Sequence, residues 1–364
     1  MSAAEDRRLI AQSAADLLDG LGGLGRARRV RDAWPLFDQS AWHEMAGAGW
    51  PGSLVPEEQG GAGLRLDEAC ALLEAAGGRL AAEPLAACIA AGLLLARSAT
   101  PHATLLLQGL LAGERVVVPV APAQSAWPGE SGIDAKRTEQ GIRLSGLEPR
   151  IADCQGATDF LVGLEAGGEF LVVHLEASNP ALELRASQTV DGTSLGELRL
   201  AGLMVQPQHI LLAGAPASAA FEALADALCL GRAAQLVGLM DEALRLTVEY
   251  LKTREQFGRP IGSFQALQHR AATAYIDVAA SRSLLYEACR AFGTAKQGRA
   301  AAAAGARACG AALRVTQECV QLHGAIGFAD ECDIGLFLRR AMALAGAAGG
   351  EIQNRRRYAE SVPG

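Results

Sequence analysis

The hydrophobic period of this chain changes twice, and that change constrains its architecture more than any single residue does. Up to about residue 110 apolar side chains recur at helical spacing, with Leu9, Ala14, Leu17 and Leu18 in one stripe and Leu72, Leu73, Leu80, Leu85, Ile89, Leu93 and Leu95 in others. Glycine-rich turns, Gly20 to Gly25 and Gly60-Gly61-Ala62-Gly63, separate those helices. From about 114 to 214 short β-like runs take over: Val116 to Val120, Gly141 to Ser145, Phe160 to Leu164, Phe170 to His174 and Glu197 to Leu200. The helical period returns near 216. Leu267, Ala271, Ala274, Val278 and Leu285 then mark one face of a long helix, and Val315, Cys319 and Leu322 mark another. The expected organisation is α+β: an N-terminal helical domain at 1–112, a middle β-barrel domain at 113–214 and a C-terminal helical domain at 215–364.

At 364 residues, half of them apolar, the chain is long enough for two or three cores. A formal charge of −7 gives a nucleic-acid role no electrostatic support. The clusters Arg26-Ala27-Arg28-Arg29 and Arg355-Arg356-Arg357 are short and read as solvated helix faces. The eight cysteines include no C-x-x-C pair and sit mostly in apolar helical context, so they read as small buried hydrophobes in a reducing cytoplasm. The N-terminus lacks an apolar h-region, and no uninterrupted apolar run reaches membrane-spanning length. These features set the expectation of a cytoplasmic protein that binds neither membrane nor nucleic acid.

Two segments carry chemistry. In the first, Thr253-Arg254-Glu255-Gln256-Phe257-Gly258-Arg259-Pro260 follows a helical run, so the helix should stop with Arg254 in its last turn. A guanidinium placed there can fork onto a diphosphate with two parallel bonds, which a lysine cannot imitate. Phe257 offers a flat apolar face to a nucleotide, while Gln256, Phe264 and Gln265 add neutral donors and an apolar wall. In the second, Gln321-Leu322-His323-Gly324-Ala325-Ile326-Gly327-Phe328, two glycines past a helix let a backbone approach a ligand, and Gln321 can bond a base or ribose edge. Either segment alone also fits a plainer role: dipole compensation and a core ring for the first, a helix C-cap for the second.

Taken together, and with Gly49-Trp50-Pro51 through Gly60-Gly61-Ala62-Gly63, Gly78-Arg79-Leu80-Ala81-Ala82-Glu83-Pro84 and Val190-Asp191 through Leu200, the chain resembles the acyl-CoA dehydrogenases over its whole length. The resemblance implies an N-terminal helical domain, a middle antiparallel β domain and a C-terminal four-helix bundle. It also implies FAD as cofactor, an acyl-CoA substrate and an electron-transfer flavoprotein as the acceptor of electrons. In that family the two motifs of one subunit reach the ADP half of an FAD held mainly by its neighbour. By resemblance, Arg254, Gln256, Phe257, Phe264, Gln265, Gln321, Gly324 and Ala325 would serve a flavin shared across a subunit interface, which implies an obligate oligomer.

The family's catalytic carboxylate is missing from its expected place. The reaction removes the α proton and β hydride of an acyl-CoA, and a weakly acidic thioester α proton needs a positioned base. Counting from Arg339 puts Ala348 at the glutamate position, and counting back from Ile352-Gln353 puts Ala347 there. Glu351 is close by but reads as a solvated or capping carboxylate. In the isovaleryl branch the base lies on another helix of the C-terminal domain; counting back from Arg254 lands that position on Leu228 and its neighbouring arginine on Cys229. Asp226, two residues earlier, points about 200° away on a helix. The family's flavin-ring loop and Trp-Ile-Thr segment have as nearest text Val120 to Ser131 and Pro149-Arg150-Ile151-Ala152-Asp153.

Trans-acting flavin contacts without cis-acting ones are what the non-catalytic subunit of a heteromeric, α2β2-type bacterial acyl-CoA dehydrogenase requires, and such enzymes occur in steroid side-chain degradation. Two alternatives stand beside it: a self-sufficient dehydrogenase using Glu351 or Asp153 as base, and a flavin-free acyl-CoA-binding or structural homologue.

Overall fold

The computed structural model describes residues 3–34, 37–120 and 132–361. Six helices come first: α1 (Ala3–Gly20), α2 (Gly23–Asp32), α3 (Gln39–Gly47), α4 (Leu66–Gly78), α5 (Leu85–Leu95) and α6 (Pro101–Leu111). Eight strands follow: β1 (Val117–Val120), β2 (Asp134–Thr138), β3 (Gly141–Ala152), β4 (Asp159–Ala166), β5 (Glu169–Glu176), β6 (Leu182–Gln188), β7 (Ser194–Val205) and β8 (Ile210–Ala213). The rest is helical apart from one small hairpin: α7 (Ala215–Thr253), β9 (Glu255–Gln256), β10 (Arg259–Pro260), α8 (Gln265–Ala291), α9 (Gln297–His323), α10 (Ile334–Ala347) and α11 (Gly350–Glu360). The chain divides into two compact units, one of Met1–Asp32, Leu66–Ala82 and Cys229–Gly364, the other of Ala33–Arg65 and Glu83–Leu228.

In the first unit α1 packs on α4, and α8, α10 and α11 pack on α9. The composition of α9 explains its central place. Ala301, Ala302, Ala304, Gly305, Ala308, Ala311 and Ala312 are all buried, and small side chains let neighbouring helices come close. The crossing of α4 and α7 is tighter still: a Cβ on Gly77 would lie 2.0 Å from the Gln235 carbonyl oxygen, and one on Gly238 would lie 1.8 Å from that of Glu74. Glu74 anchors the same crossing, accepting from Arg282 Nε at 2.8 Å and Tyr286 Oη at 2.6 Å. Burial pushes its carboxyl above the ordinary range, against the opposing pull of Arg282. By length and composition α7 could cross a membrane, but its apolar window is 94% buried inside the fold, as befits a core helix.

The second unit holds two four-stranded sheets, ordered β1-β4-β5-β8 and β2-β3-β7-β6. Every pairing in them is antiparallel except β1 with β4, which is parallel. The chain leaves the first sheet after β1, builds β2 and β3 in the other and returns, and such a long crossover permits a parallel partner. Strand β4 is buried on nearly every residue, and Gly163 leaves room for the Phe221 ring, which would stand 2.8 Å from an added Cβ. The start of α6 has a cap of ordinary chemistry: Thr100 Oγ1 accepts from the Ala103 amide and Pro101 occupies the first turn. Thr100→Ala should therefore lower stability by about 1 kcal/mol in urea unfolding.

Some expectations change. Strands β2, β6 and β8 lie outside the predicted runs, β1 is parallel, and the C-terminal segment has a fifth helix, α11, because Gly349 and Gly350 take φ of +83° and +69° and break it from α10. Arg26 is buried, and Arg28 donates to the Asp333 carboxylate at 2.8 Å, so the first basic cluster is not a solvated face. The second is: Arg355 and Arg356 are exposed and pair with Glu351 and Glu360 one turn away. Seven cysteines are buried and Cys332 is half-buried, all as free thiols.

Candidate functional site

The Tyr250 to Phe264 segment ends α7 and continues into a hairpin whose residues, 255–260, are all exposed. The Arg254 amide donates to the Tyr250 carbonyl at 2.8 Å and closes α7. The pairs Arg259 with Gln256 and Pro260 with Glu255 then form the hairpin around a two-residue turn, Phe257-Gly258. Both turn residues have positive φ, +54° and +73°, as a two-residue I′ turn demands. Glycine meets that demand freely, whereas a phenylalanine there stores about 1–3 kcal/mol of strain. The strained ring is also 92% exposed, so burial within this chain does not compensate it.

Phe257 meets Phe264 edge-on at 6.1 Å, and the Arg259 guanidinium lies over the Phe264 ring at 4.1 Å. The Ile261 amide donates to the Arg254 carbonyl at 2.8 Å, which ties the strand exit to the helix end. Arg254, Gln256 and Gln265 are exposed, and Phe264 is half-buried. The Arg254 guanidinium has no hydrogen-bond or ion-pair partner among the described residues.

The second motif ends α9. Gly324 adopts φ +67°, ψ −144°, and Gly324 to Phe328 form one 3-10 turn with Gly324, Ala325, Ile326 and Phe328 exposed. Gly327 is the buried pivot, because a Cβ there would lie 2.6 Å from the Val320 carbonyl oxygen. The two motifs are joined by a pair that sequence reasoning did not single out. The Tyr250 ring stacks on His323 at 4.4 Å and 19°, and its hydroxyl donates to the His323 carbonyl at 3.3 Å. His323 Nδ1 donates to the Cys319 carbonyl at 2.8 Å, and burial lowers its basicity, so a neutral ring links the end of α7 to the end of α9. Their positions are the available signal: Tyr250 lies one helical turn before Arg254, and His323 directly precedes Gly324.

Beyond Phe328, Asp330 accepts from Arg31 at 2.7 Å and Arg339 at 3.0 Å, and these bonds hold its carboxyl well below the usual range. Gln321 is exposed at one end of a groove of about 740 Å³ between α8 and α9. Its charged walls are already paired within the chain, Arg270 with Glu318, and Asp277 with Arg307 and Arg314. Thus Arg254, Gln256, Phe257 and Gln265 stand exposed on one hairpin and helix start, and Gln321, Gly324 and Ala325 on the adjoining turn, all within one unit.

The positions where a base was expected are closed in other ways. Ala347 ends α10, and its carbonyl accepts from the buried Arg232 Nη1 at 2.6 Å. Asn354 Nδ2 donates to the Ala348 and Gly350 carbonyls, at 2.8 Å each. Leu228 is 3% exposed, as is Asp226. Glu351 pairs with Arg355 and lies across Gly310, where its carboxylate oxygen would be 2.2 Å from an added Cβ. Asp153 is half-buried at φ +61° just past β3. Pro149 to Ala152 belong to β3, with a register irregularity between Glu148 and Ile151. The stretch 121–131, compared above with the flavin-ring loop, lies outside the described residues.

The sequence matches the family description "Acyl-CoA dehydrogenase, N-terminal domain" over residues 4–103 and "Acyl-CoA dehydrogenase, C-terminal domain" over residues 222–362. It is 32% identical over 342 residues to the acyl-CoA dehydrogenase FadE27 of Mycobacterium tuberculosis, covering 90% of this chain and 88% of that one. The chain belongs to the acyl-CoA dehydrogenase family. Its structure is similar to one in the ChsE4–ChsE5 complex of Mycobacterium tuberculosis, with TM-score 0.91, 28% identity and coverage of 100% of this chain and 99% of the other. It is likewise similar to a variant of Tcur3481–Tcur3483, described as a steroid ACAD, with TM-score 0.88, 30% identity and coverage of 99% and 98%. Acyl-CoA dehydrogenases are FAD-dependent oxidoreductases, and the two family matches leave residues 104–221 between them.

Proposed function

We propose that this acyl-CoA dehydrogenase homologue is the non-catalytic subunit of a heteromeric enzyme, completing the FAD site of a partner subunit that supplies the base. The observation that carries the reading is Arg254, exposed and without a hydrogen-bond or ion-pair partner among the described residues, beside the outward Phe257 ring. A strained, exposed aromatic next to an unengaged guanidinium fits a flat nucleotide with a diphosphate. Arg254 would fork onto the diphosphate, Phe257 and Phe264 would wall it, and Gln256, Gln265, Gln321 and the Gly324-Ala325 backbone would bond the adenosine end. Bound FAD supplies a hydride acceptor for acyl-CoA desaturation. The residues of this chain orient and retain it; they move no proton, since Ala347, Ala348 and Leu228 hold the expected base positions.

The pairing of Glu351 with Arg355 weighs against a relocated base. Likeness to the ChsE4–ChsE5 complex supports a heteromer, and the description of Tcur3481–Tcur3483 as a steroid ACAD supports a steroid-derived acyl-CoA. The assembly would work in the cytoplasm and pass electrons to an electron-transfer flavoprotein.

The test is turnover of a steroid-derived and a short-chain acyl-CoA by this chain alone, by its dehydrogenase partner alone and by both co-expressed. Activity confined to the co-expressed pair, and greater on the steroid ester, is expected. Turnover by this chain alone would overturn the proposal. Ala348→Glu should leave the isolated chain inactive, because a carboxylate without a held flavin has no hydride acceptor; activity gained by that variant would show that the chain grips FAD by itself.

A further inference from the structure

Half of the chain's six histidines meet in one cluster within the second unit. His102 lies in the first turn of α6, His174 on β5 and His209 on the 3-10 turn Pro207–His209. His102 Nε2 is 2.9 Å from His174 Nδ1, and the His209 ring lies 4.7 Å from His102 and 5.9 Å from His174. Behind them His174 Nε2 is 2.7 Å from Asp159 Oδ1 on β4. Arg115 and Thr158 also bond that carboxylate, each at 2.6 Å, and both Asp159 and His174 are almost wholly buried. Among the described residues no three His, Cys, Asp or Glu side chains are grouped to hold a metal ion.

The bonding fixes the protons. Asp159 is ionised: burial raises its carboxyl, but the bonds from His174 and Thr158 outweigh that and bring it below the ordinary value. His174 Nε2 therefore donates to Asp159. The 2.9 Å contact between His174 Nδ1 and His102 Nε2 then needs one bare nitrogen, so the two rings cannot both be imidazolium. Burial first, then His174 and the tilted His209 ring, opposes a charge on His102, with Arg115 and the amide end of α6 adding to the opposition; Glu176 favours it. Burial first, then His174, opposes a charge on His209 also, with Glu176 again the favourable neighbour.

We propose that His102, His174 and His209 form an acid-sensitive latch that holds the start of α6 against β5 and the Pro207–His209 turn, and releases it on protonation. The segment leading into α6 is tied to β8 through Ser98 Oγ, which donates to the Leu211 carbonyl at 2.8 Å and lies 3.1 Å from Thr100 Oγ1 at the helix cap, so release loosens that sheet edge. The direction follows from linkage. A released histidine takes up its proton near 6.5, whereas in the latch His102 and His209 are less basic, so the open form binds more protons. The latch is fully stable above that value, weakens as pH falls through it, and stops weakening once the latched rings also protonate.

Amide hydrogen exchange of the full chain at about pH 7.5 and about pH 5.5, corrected for intrinsic rates, tests this. Protection of residues 100–108 and 206–211 should fall about tenfold at the lower pH while α9 keeps its protection. His102→Gln with His209→Gln should abolish the pH dependence. Should that variant fail to fold, NMR titration of the wild-type imidazoles decides: His102 and His209 should titrate below the ordinary value and perturb each other. Equal corrected protection at both pH values, or independent titrations of His102 and His209 near 6.5, would overturn the latch.

Discussion

Arg254→Ala in the co-purified complex should weaken FAD retention by roughly ten- to one-hundred-and-fiftyfold, the equivalent of about 1.5–3 kcal/mol for a charge-assisted bond. The variant removes no hydrogen bond or ion pair among the described residues, because the guanidinium has no such partner there. Folding and thermal stability should thus be unchanged while flavin absorbance is lost on ultrafiltration. Arg254→Lys should give an intermediate loss, since it keeps the charge and forfeits the fork. Unchanged affinity in both variants would remove Arg254 from the cofactor site.

The largest stability effect is expected at the α4–α7 crossing. An added Cβ on Gly238 would stand 1.8 Å from the Glu74 carbonyl oxygen, a backbone atom that cannot swing aside, so the helices must part. Helix propensity favours alanine by about 1 kcal/mol, but overpacking of this kind costs about 1–3 kcal/mol or more. Parting the helices would also pull Glu74 from Arg282 and Tyr286 and leave a buried carboxylate poorly compensated. Gly238→Ala should therefore lose about 3 kcal/mol net, a melting temperature lower by roughly 6–12 °C in calorimetry. Gly346→Ala is the matched control. It lies in α10, exposed and with no atom within 4 Å of an added Cβ, so it should be neutral or slightly stabilising. Equal melting of the two variants would mean that the crossing is softer than its geometry implies.

The order of helix, strand and helix was legible because burial imposes its period on the sequence: Ala14 and Leu18 on α1, and Ala274, Val278 and Leu285 on α8, are buried as their spacing predicts. Where burial is slight, the signal vanishes. Strand β2 is Asp-Ala-Lys-Arg-Thr and nearly all exposed, so it is held by its ladder to β3 and not by an apolar face. The buried role of Arg26 and the pairing of Arg28 with Asp333 were hidden for another reason. Local charge density reports solvent-facing helices well, but the acidic partner lies 305 residues away.

The site was legible in its side chains and not in its backbone. Arg254 and Phe257 could be read as a guanidinium and a ring beside a helix end, yet nothing local says that Phe257 takes a positive φ and stands 92% exposed. The Tyr250–His323 stack was missed for want of any pairing signal between residues 73 positions apart.

The visible absorption spectrum of this chain, purified alone and then with its dehydrogenase partner, decides whether the chain completes a flavin site held mainly by that partner. The single chain should be colourless and the complex yellow, with fewer flavins than subunits. A single chain that retains FAD in full stoichiometry, or a complex whose flavin content does not depend on this chain, would contradict that role.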